Sequence, residues 1–277
     1  MSRATILVLV PLALAAGAPS RAGTPEPAPQ RLLYLTHSAG YRHEVLPVSH
    51  GAVRGLGRTA GFDVTVSEDA SVISDAGLRD YDAVFFYTSG ELPLSDAQRR
   101  ALSAFVKGGK GFVGAHSAAD TLYRWPEYGE MLGGYFDGHP WHTTVGIRVE
   151  DRAHPATRHL PARFELADEI YQFKSWSRER VHVLLSLDPA SVELSVPGVN
   201  RTDRDFALAW TRRHGEGRVF YTALGHNAEV WRDERFTSHL LGGIRWAMGA
   251  KDAAGESRLL AAAPADYRLP VRCCSTR

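Results

Sequence analysis

Cysteine is almost missing from this chain. Of 277 residues only two are Cys, and they stand side by side near the carboxyl terminus as Cys273 and Cys274. Adjacent cysteines close a small, strained ring and are poor partners for each other. That excludes a disulfide framework, and it excludes a nucleophilic thiol in the body of the chain. An excess of charge of one sign is missing too: Lys and Arg number 32 against 31 Asp and Glu. Such a balance creates no field for nucleic acid or an anionic membrane surface. No internal repeat, no heptad pattern and no apolar run long enough to span a bilayer is present. What remains, at 44% hydrophobic and 23% charged residues, is the composition of a packed globular protein.

The amino terminus reads as an address. Arg3 precedes an apolar run from Ile6 to Ala16, broken by Pro11, and small residues lead to cleavage positions after Ala18 and Ala22. The expected layout is a signal peptide over 1–22, a Pro-rich linker over 23–30, one domain over 31–248, and a loosely ordered tail over 249–277. Export to the periplasm or the medium follows, with no membrane span in the mature protein. Cleavage after Ala22 removes Arg3 and Arg21 and no acid, leaving 30 basic against 31 acidic side chains.

Short apolar runs alternate with helical patterns through the first half. Strands are expected over Arg31–Thr36, Phe62–Val66, Tyr81–Tyr87 and Gly111–Ala115, and helices over Val45–Thr59 and from the N-cap Ser95 to Gly108. This order predicts an α/β fold: a doubly wound, mainly parallel sheet with helices on both faces. Further strands are expected over Thr143–Val149 and Val181–Leu187. Phe206–Arg212 and Arg218–Leu224 flank His214-Gly215-Glu216-Gly217 as an added β-hairpin region, and a helix over Phe236–Met248 closes the domain. In a parallel sheet the strand carboxyl ends share one edge, so the polar clusters after Thr36, Tyr87 and Ala115 should converge there.

Gly109-Lys110-Gly111-Phe112-Val113-Gly114 spells the dinucleotide fingerprint, but its glycines run through a strand instead of opening a helix, so no NAD site is expected. Gly114-Ala115-His116-Ser117-Ala118 is more informative. Small residues around one central side chain at a strand end make the turn of a nucleophile elbow, which exposes that side chain. The central residue is His116, so a satisfied strand-end histidine competes with a catalytic one. His139-Pro140-Trp141-His142 offers His139 and His142 to a divalent metal, although two ligands are too few alone. Asp168-Glu169-Ile170-Tyr171 is either a carboxylate-bearing site or a solvated charged turn, and Gly225-His226-Asn227-Ala228-Glu229 either a site loop or a helix N-cap cluster.

Together THSAGYRHE (36–44), GFVGAHSAADT (111–121), GGYFDGHPWH (133–142), DEIYQF (168–173), GRVFYTALGHNAEVW (217–231) and HLLGGIRWA (239–247) resemble the trehalose-utilization, ThuA-like family over about residues 31 to 248. The resemblance implies a class I glutamine amidotransferase-like, flavodoxin-like fold. It also implies carbohydrate catabolism on a disaccharide or keto-glycoside supplied by a partner sugar oxidoreductase. Where amidotransferases carry a nucleophilic Cys this chain has His116, so no glutaminase activity is expected.

On this reading His116, Glu169 and His226 are the acid/base candidates. His37, Tyr41, Arg42, His43, Glu91, Ser117, Asp120, Trp141, Tyr171 and Glu229 are candidates for binding the sugar. A non-catalytic carbohydrate-binding protein and a purely structural module on the same fold stay open beside the enzyme.

Overall fold

The computed structural model describes residues 28–249. The expected signal peptide, most of the linker, the tail after Gly249 and both cysteines lie outside them. The chain forms β1 (Arg31–Leu35), α1 (Leu46–Ala60), β2 (Asp63–Ser67), α2 (Asp75–Leu78), β3 (Ala83–Phe86), α3 (Asp96–Lys107) and β4 (Gly111–Ala115). Then follow α4 (Pro126–Leu132), β5 (Tyr135–Phe136), β6 (Trp141–Val149), β7 (Arg163–Ile170), β8 (Phe173–Lys174), β9 (His182–Leu187), β10 (Ala207–His214), β11 (Gly217–Thr222) and α5 (Glu234–Ala247).

Nine strands make one sheet in the order β2-β1-β3-β4-β11-β10-β9-β6-β7. From β2 to β11 every neighbour is parallel. From β11 to β7 every neighbour is antiparallel. The doubly wound, flavodoxin-like half is the one its sequence predicts. Its central strands β3 and β4 are buried at every residue, as a strand covered on both faces must be. The antiparallel half is larger than the hairpin expected from the Gly215 turn, because β6 and β7 extend the sheet beyond β9.

Local chemistry explains the boundaries. Ser95 and Gln98 form a reciprocal capping box at the start of α3. Gly61 closes α1 at φ 76°. The apparent dinucleotide fingerprint lies mostly inside β4 and opens no α-helix there. Helices α1 and α5 pack against each other, as do α2 and α3.

His239 on α5 belongs to the core, away from the strand carboxyl edge. Its Nδ1–H donates to the Ala156 carbonyl at 2.8 Å, its ring meets Phe220, and Nε2 has no hydrogen-bond partner among the described residues. Burial, with His159 and His154 nearby, pushes its pKa down to about 3. The folded state therefore holds it neutral where an unfolded imidazole, titrating near 6.5, takes a proton. Its stabilising contribution is full above pH 6.5 and drains as pH falls toward 3. About 2–3 kcal/mol should be lost through this residue over the first two pH units. Denaturant unfolding between pH 7 and pH 4.5 checks this: His239→Gln should start less stable and show a flatter dependence.

Candidate functional site

Three loops leave the carboxyl edge of the parallel strands and are tied together by their backbones. Ser38 bridges Ser89 and Gly90 bridges Thr121, so the segments after β1, β3 and β4 run side by side. Gly90 has φ 72°, and a Cβ there would lie 2.5 Å from the Gly40 amide nitrogen, so only glycine permits this approach. These loops lie on the carboxyl edge of the parallel strands, beside the point where strand order reverses between β1 and β3, the edge where open α/β sheets bind ligands.

His116 stands at the apex of the turn after β4, with φ 44°. A left-handed histidine is strained by about 1 kcal/mol or more. The turn has the elbow geometry expected from its small flanks, but its side chain is not exposed: His116 is 0% accessible. Tyr171 covers it at a ring distance of 4.2 Å, and His43 approaches edge-on at 4.9 Å. Its Nδ1–H donates to the Ala223 carbonyl at 2.8 Å, and Tyr221 donates its hydroxyl to the His116 carbonyl.

The other ring nitrogen, Nε2, points into a cluster. It lies 3.1 Å from His226 Nδ1 and 3.4 Å from Glu169 Oε2. His226 Nδ1 lies 3.4 Å from the same carboxylate oxygen, and His139 Nδ1 is 3.4 Å from Glu169 Oε1. Burial raises the Glu169 carboxyl, but hydrogen bonds and charge from His116 and His226 outweigh it and hold the group well below the usual carboxylate range. The same contact raises His226, against its own burial. Burial, reinforced by His116 and His226, lowers His43 to about 3, so it is neutral at ordinary pH. Within the cluster His116 is buried, while the Glu169 and His226 side chains keep 10% and 21% of their exposure and His139 half.

Two elements bring Glu169 and His226 here. Glu169 lies near the end of β7, paired with His142 on β6. Asp168 and Glu169 are therefore strand residues, not a solvated turn. Asp168 is fully buried. Its carboxylate accepts the Gly225 amide at 2.6 Å and the Asn227 amide at 3.0 Å, which clamps the loop on both sides of His226. Burial pushes Asp168 up, opposed by His116 and these amides. Asp168→Ala would leave two loop amides without acceptors and should cost about 2–4 kcal/mol of stability. Hydrogen exchange at Gly225 and Asn227 should accelerate in that variant, which mass spectrometry of the loop peptide can follow.

The remaining candidates divide. His43 and Tyr171 join the cluster. His142 hydrogen-bonds Asn227 at 3.0 Å with its ring 5.1 Å from His226, and it shares a candidate metal-ligating set with Glu169 and His226, whereas His139 contacts Glu169 but falls in no such set among the described residues. Asp120 accepts the Tyr123 hydroxyl and is raised by burial. Tyr41 is 62% exposed and edges onto His43, forming an open aromatic wall.

Others are occupied elsewhere. Trp141 is buried in β6, its indole N–H donating to the Glu193 carbonyl and its ring against Phe206. Neither face is open for a sugar to stack on. His37 meets the Glu68 carbonyl, Arg42 the Glu68 carboxylate, Glu91 the Arg124 amide, and Glu229 pairs with Arg232. Ser117 is buried and its hydroxyl has no hydrogen-bond partner among the described residues, so no base there is in place to activate it as a nucleophile. Sequence reasoning missed Tyr87, which touches His43 and His116 and donates to the Gly225 carbonyl. Its place at the end of β3 was the available signal.

The arrangement gathers groups that hold or move protons, with two candidate metal-ligating sets: His43, His116 and His226, and His142, Glu169 and His226. No helix among the described residues is long and apolar enough to cross a membrane. Among solved structures, a ThuA-like protein from Bacteroides uniformis shares 26% identity at a TM-score of 0.70, over 83% of this chain and 97% of that one. A ThuA-like protein from Parabacteroides merdae shares 20% at 0.64, over 80% and 91%. A β-galactosidase from Rahnella sp. R3 shares the fold alone, at 14% identity and a TM-score of 0.51, over 80% of this chain and 32% of that chain. No curated protein matches the chain significantly. The profile of the family described as "ThuA: Trehalose utilisation" matches residues 31–247, and the chain belongs to that family.

Proposed function

We propose that this protein is an exported enzyme of carbohydrate catabolism that acts on a keto-glycoside or keto-disaccharide by acid/base chemistry. One observation carries the reading. Glu169, His116 and His226 meet within 3.4 Å of one another at the ligand-binding edge of the sheet, with no poised nucleophile beside them. A site that only binds sugar needs stacking surfaces and neutral donors, and has no use for so many proton-active groups in one place.

A keto group on the sugar acidifies the neighbouring C–H. A base at the cluster takes that proton, and an enolate forms. The enolate then either collapses by expelling the glycosidic oxygen, which leaves protonated, or is reprotonated on a neighbouring carbon as an isomer. Glu169 orients the imidazoles and offsets their positive charge, His226 faces the substrate, and His116 lies beneath it. Tyr41 supplies an apolar face for the ring.

Export rests on the amino-terminal pattern alone and is tested by the amino-terminal sequence of the mature protein. The activity is tested with paired substrates, a 3-keto-glucoside and its parent glucoside. The keto compound should be consumed and the parent left intact. Binding of either compound without product over hours would support the alternative, a carbohydrate-binding protein without catalysis.

A further inference from the structure

We propose that His116 Nε2, His226 Nδ1 and Glu169 Oε2 form one face of a binding site for a divalent transition-metal cation of the zinc type. One ring nitrogen of His116 is committed to the backbone. The Ala223 carbonyl can only accept, so the contact at 2.8 Å requires the proton on Nδ1. Cation binding displaces the proton that Nε2 shares with its neighbours, and the lone pair so freed is directed toward the space between His226 Nδ1 and a carboxylate oxygen. A histidine whose other nitrogen is tied to a backbone carbonyl is the usual arrangement of a metal ligand, because the outer bond fixes both ring orientation and tautomer.

The spacing of the three atoms also fits a cation. The three atoms stand 3.1, 3.4 and 3.4 Å apart. A tetrahedral cation with bonds of about 2.0–2.1 Å to nitrogen and oxygen separates its ligands by about 3.3–3.4 Å. The cluster is thus spaced like a tetrahedral face. A single proton can bridge only one of these contacts at a time, whereas a cation satisfies all three. His43 adds a further nitrogen on the buried side, within 4.8 Å of the other two imidazole ligand atoms. Two or three imidazoles and one carboxylate suit zinc, cobalt or iron and not magnesium or calcium, which prefer all-oxygen shells.

The inference rests on the proposed reading of the cluster as the reacting centre, and it sharpens that reading. A bound cation would stabilise the enolate oxygen or supply a metal-bound water. The ligating imidazoles would then be committed to it, which leaves His139 and His142 at the rim to move protons.

The test uses the mature chain without a histidine tag, stripped by chelator and titrated with Co2+ and then Zn2+. One equivalent of Co2+ per chain should bind with the intense visible bands of tetrahedral cobalt, and Zn2+ should displace it. His116→Asn and Glu169→Gln, each shown folded by circular dichroism, should weaken binding at least about 100-fold. His37→Ala should leave it unchanged. Binding well below one equivalent, or undiminished affinity in both cluster variants, overturns the proposal. Keto-glycoside turnover is measured separately. Metal binding without turnover contradicts only the proposed activity, and full turnover by metal-free protein contradicts only a part for the cation in the reaction.

Discussion

Glu169→Gln is expected to lower kcat/KM for a keto-glycoside by about 1,000-fold, equivalent to about 4 kcal/mol of transition-state stabilisation. The carboxylate touches His116, His226 and His139 at 3.4 Å each. It is the only negative charge in direct contact with these rings among the described residues. Glutamine keeps its shape and removes that charge, so the imidazoles lose the group that orients them and offsets their positive charge. The effect on folding should be small, because glutamine fills the space of the buried carboxyl and the surrounding strand pairing uses backbone groups. Steady-state kinetics beside an unfolding curve separates the two. An activity loss matched by an equal loss of stability would assign Glu169 a structural role only.

His116→Asn should be comparably damaging, at about 1,000-fold or more in kcat/KM. Asparagine is chosen because it tolerates the left-handed backbone that His116 adopts at φ 44°. It is too short to place a nitrogen where Nε2 stands, so the fold should persist while the cluster opens. Activity near the wild-type level in a folded His116→Asn protein would show that the turn is a packing feature. Tyr221 and Tyr171, which hold this residue from below and above, would then be ordinary core contacts.

The parallel half of the fold was legible because its signals are local. Buried runs such as Leu32–Leu35 and Ala83–Phe86, the Ser95 cap and the glycine stops each depend on neighbours in sequence. The site was legible to the extent that it follows from topology. Strand ends that must share an edge bring His43, His116 and His226 together across the chain. Strand β7 was hidden because its acidic residues Glu165, Asp168 and Glu169 break the apolar alternation that marks a strand. Only the amides of Gly225 and Asn227, far away in sequence, show why Asp168 tolerates burial.

Two other misreadings have the same origin. A strand-end turn rich in small residues says that the backbone bends tightly, but not what lies over it. Tyr171, His43 and Tyr87 cover His116, and none of them is near it in sequence. Trp141 beside two histidines looked like a sugar platform, whereas its indole N–H is satisfied by Glu193 and its ring is buried on Phe206. Among the described residues Tyr41, on the loop after β1, is the large aromatic side chain that stays open.

The central claim is that the cluster moves a proton to and from carbon. Proton NMR of a 3-keto-glucoside incubated with the protein in D2O tests it most directly. The account predicts loss of the signal of the hydrogen next to the ketone, through exchange or elimination, at a rate that falls about 1,000-fold with Glu169→Gln. A substrate that binds but keeps that hydrogen and its glycosidic bond over hours would contradict it.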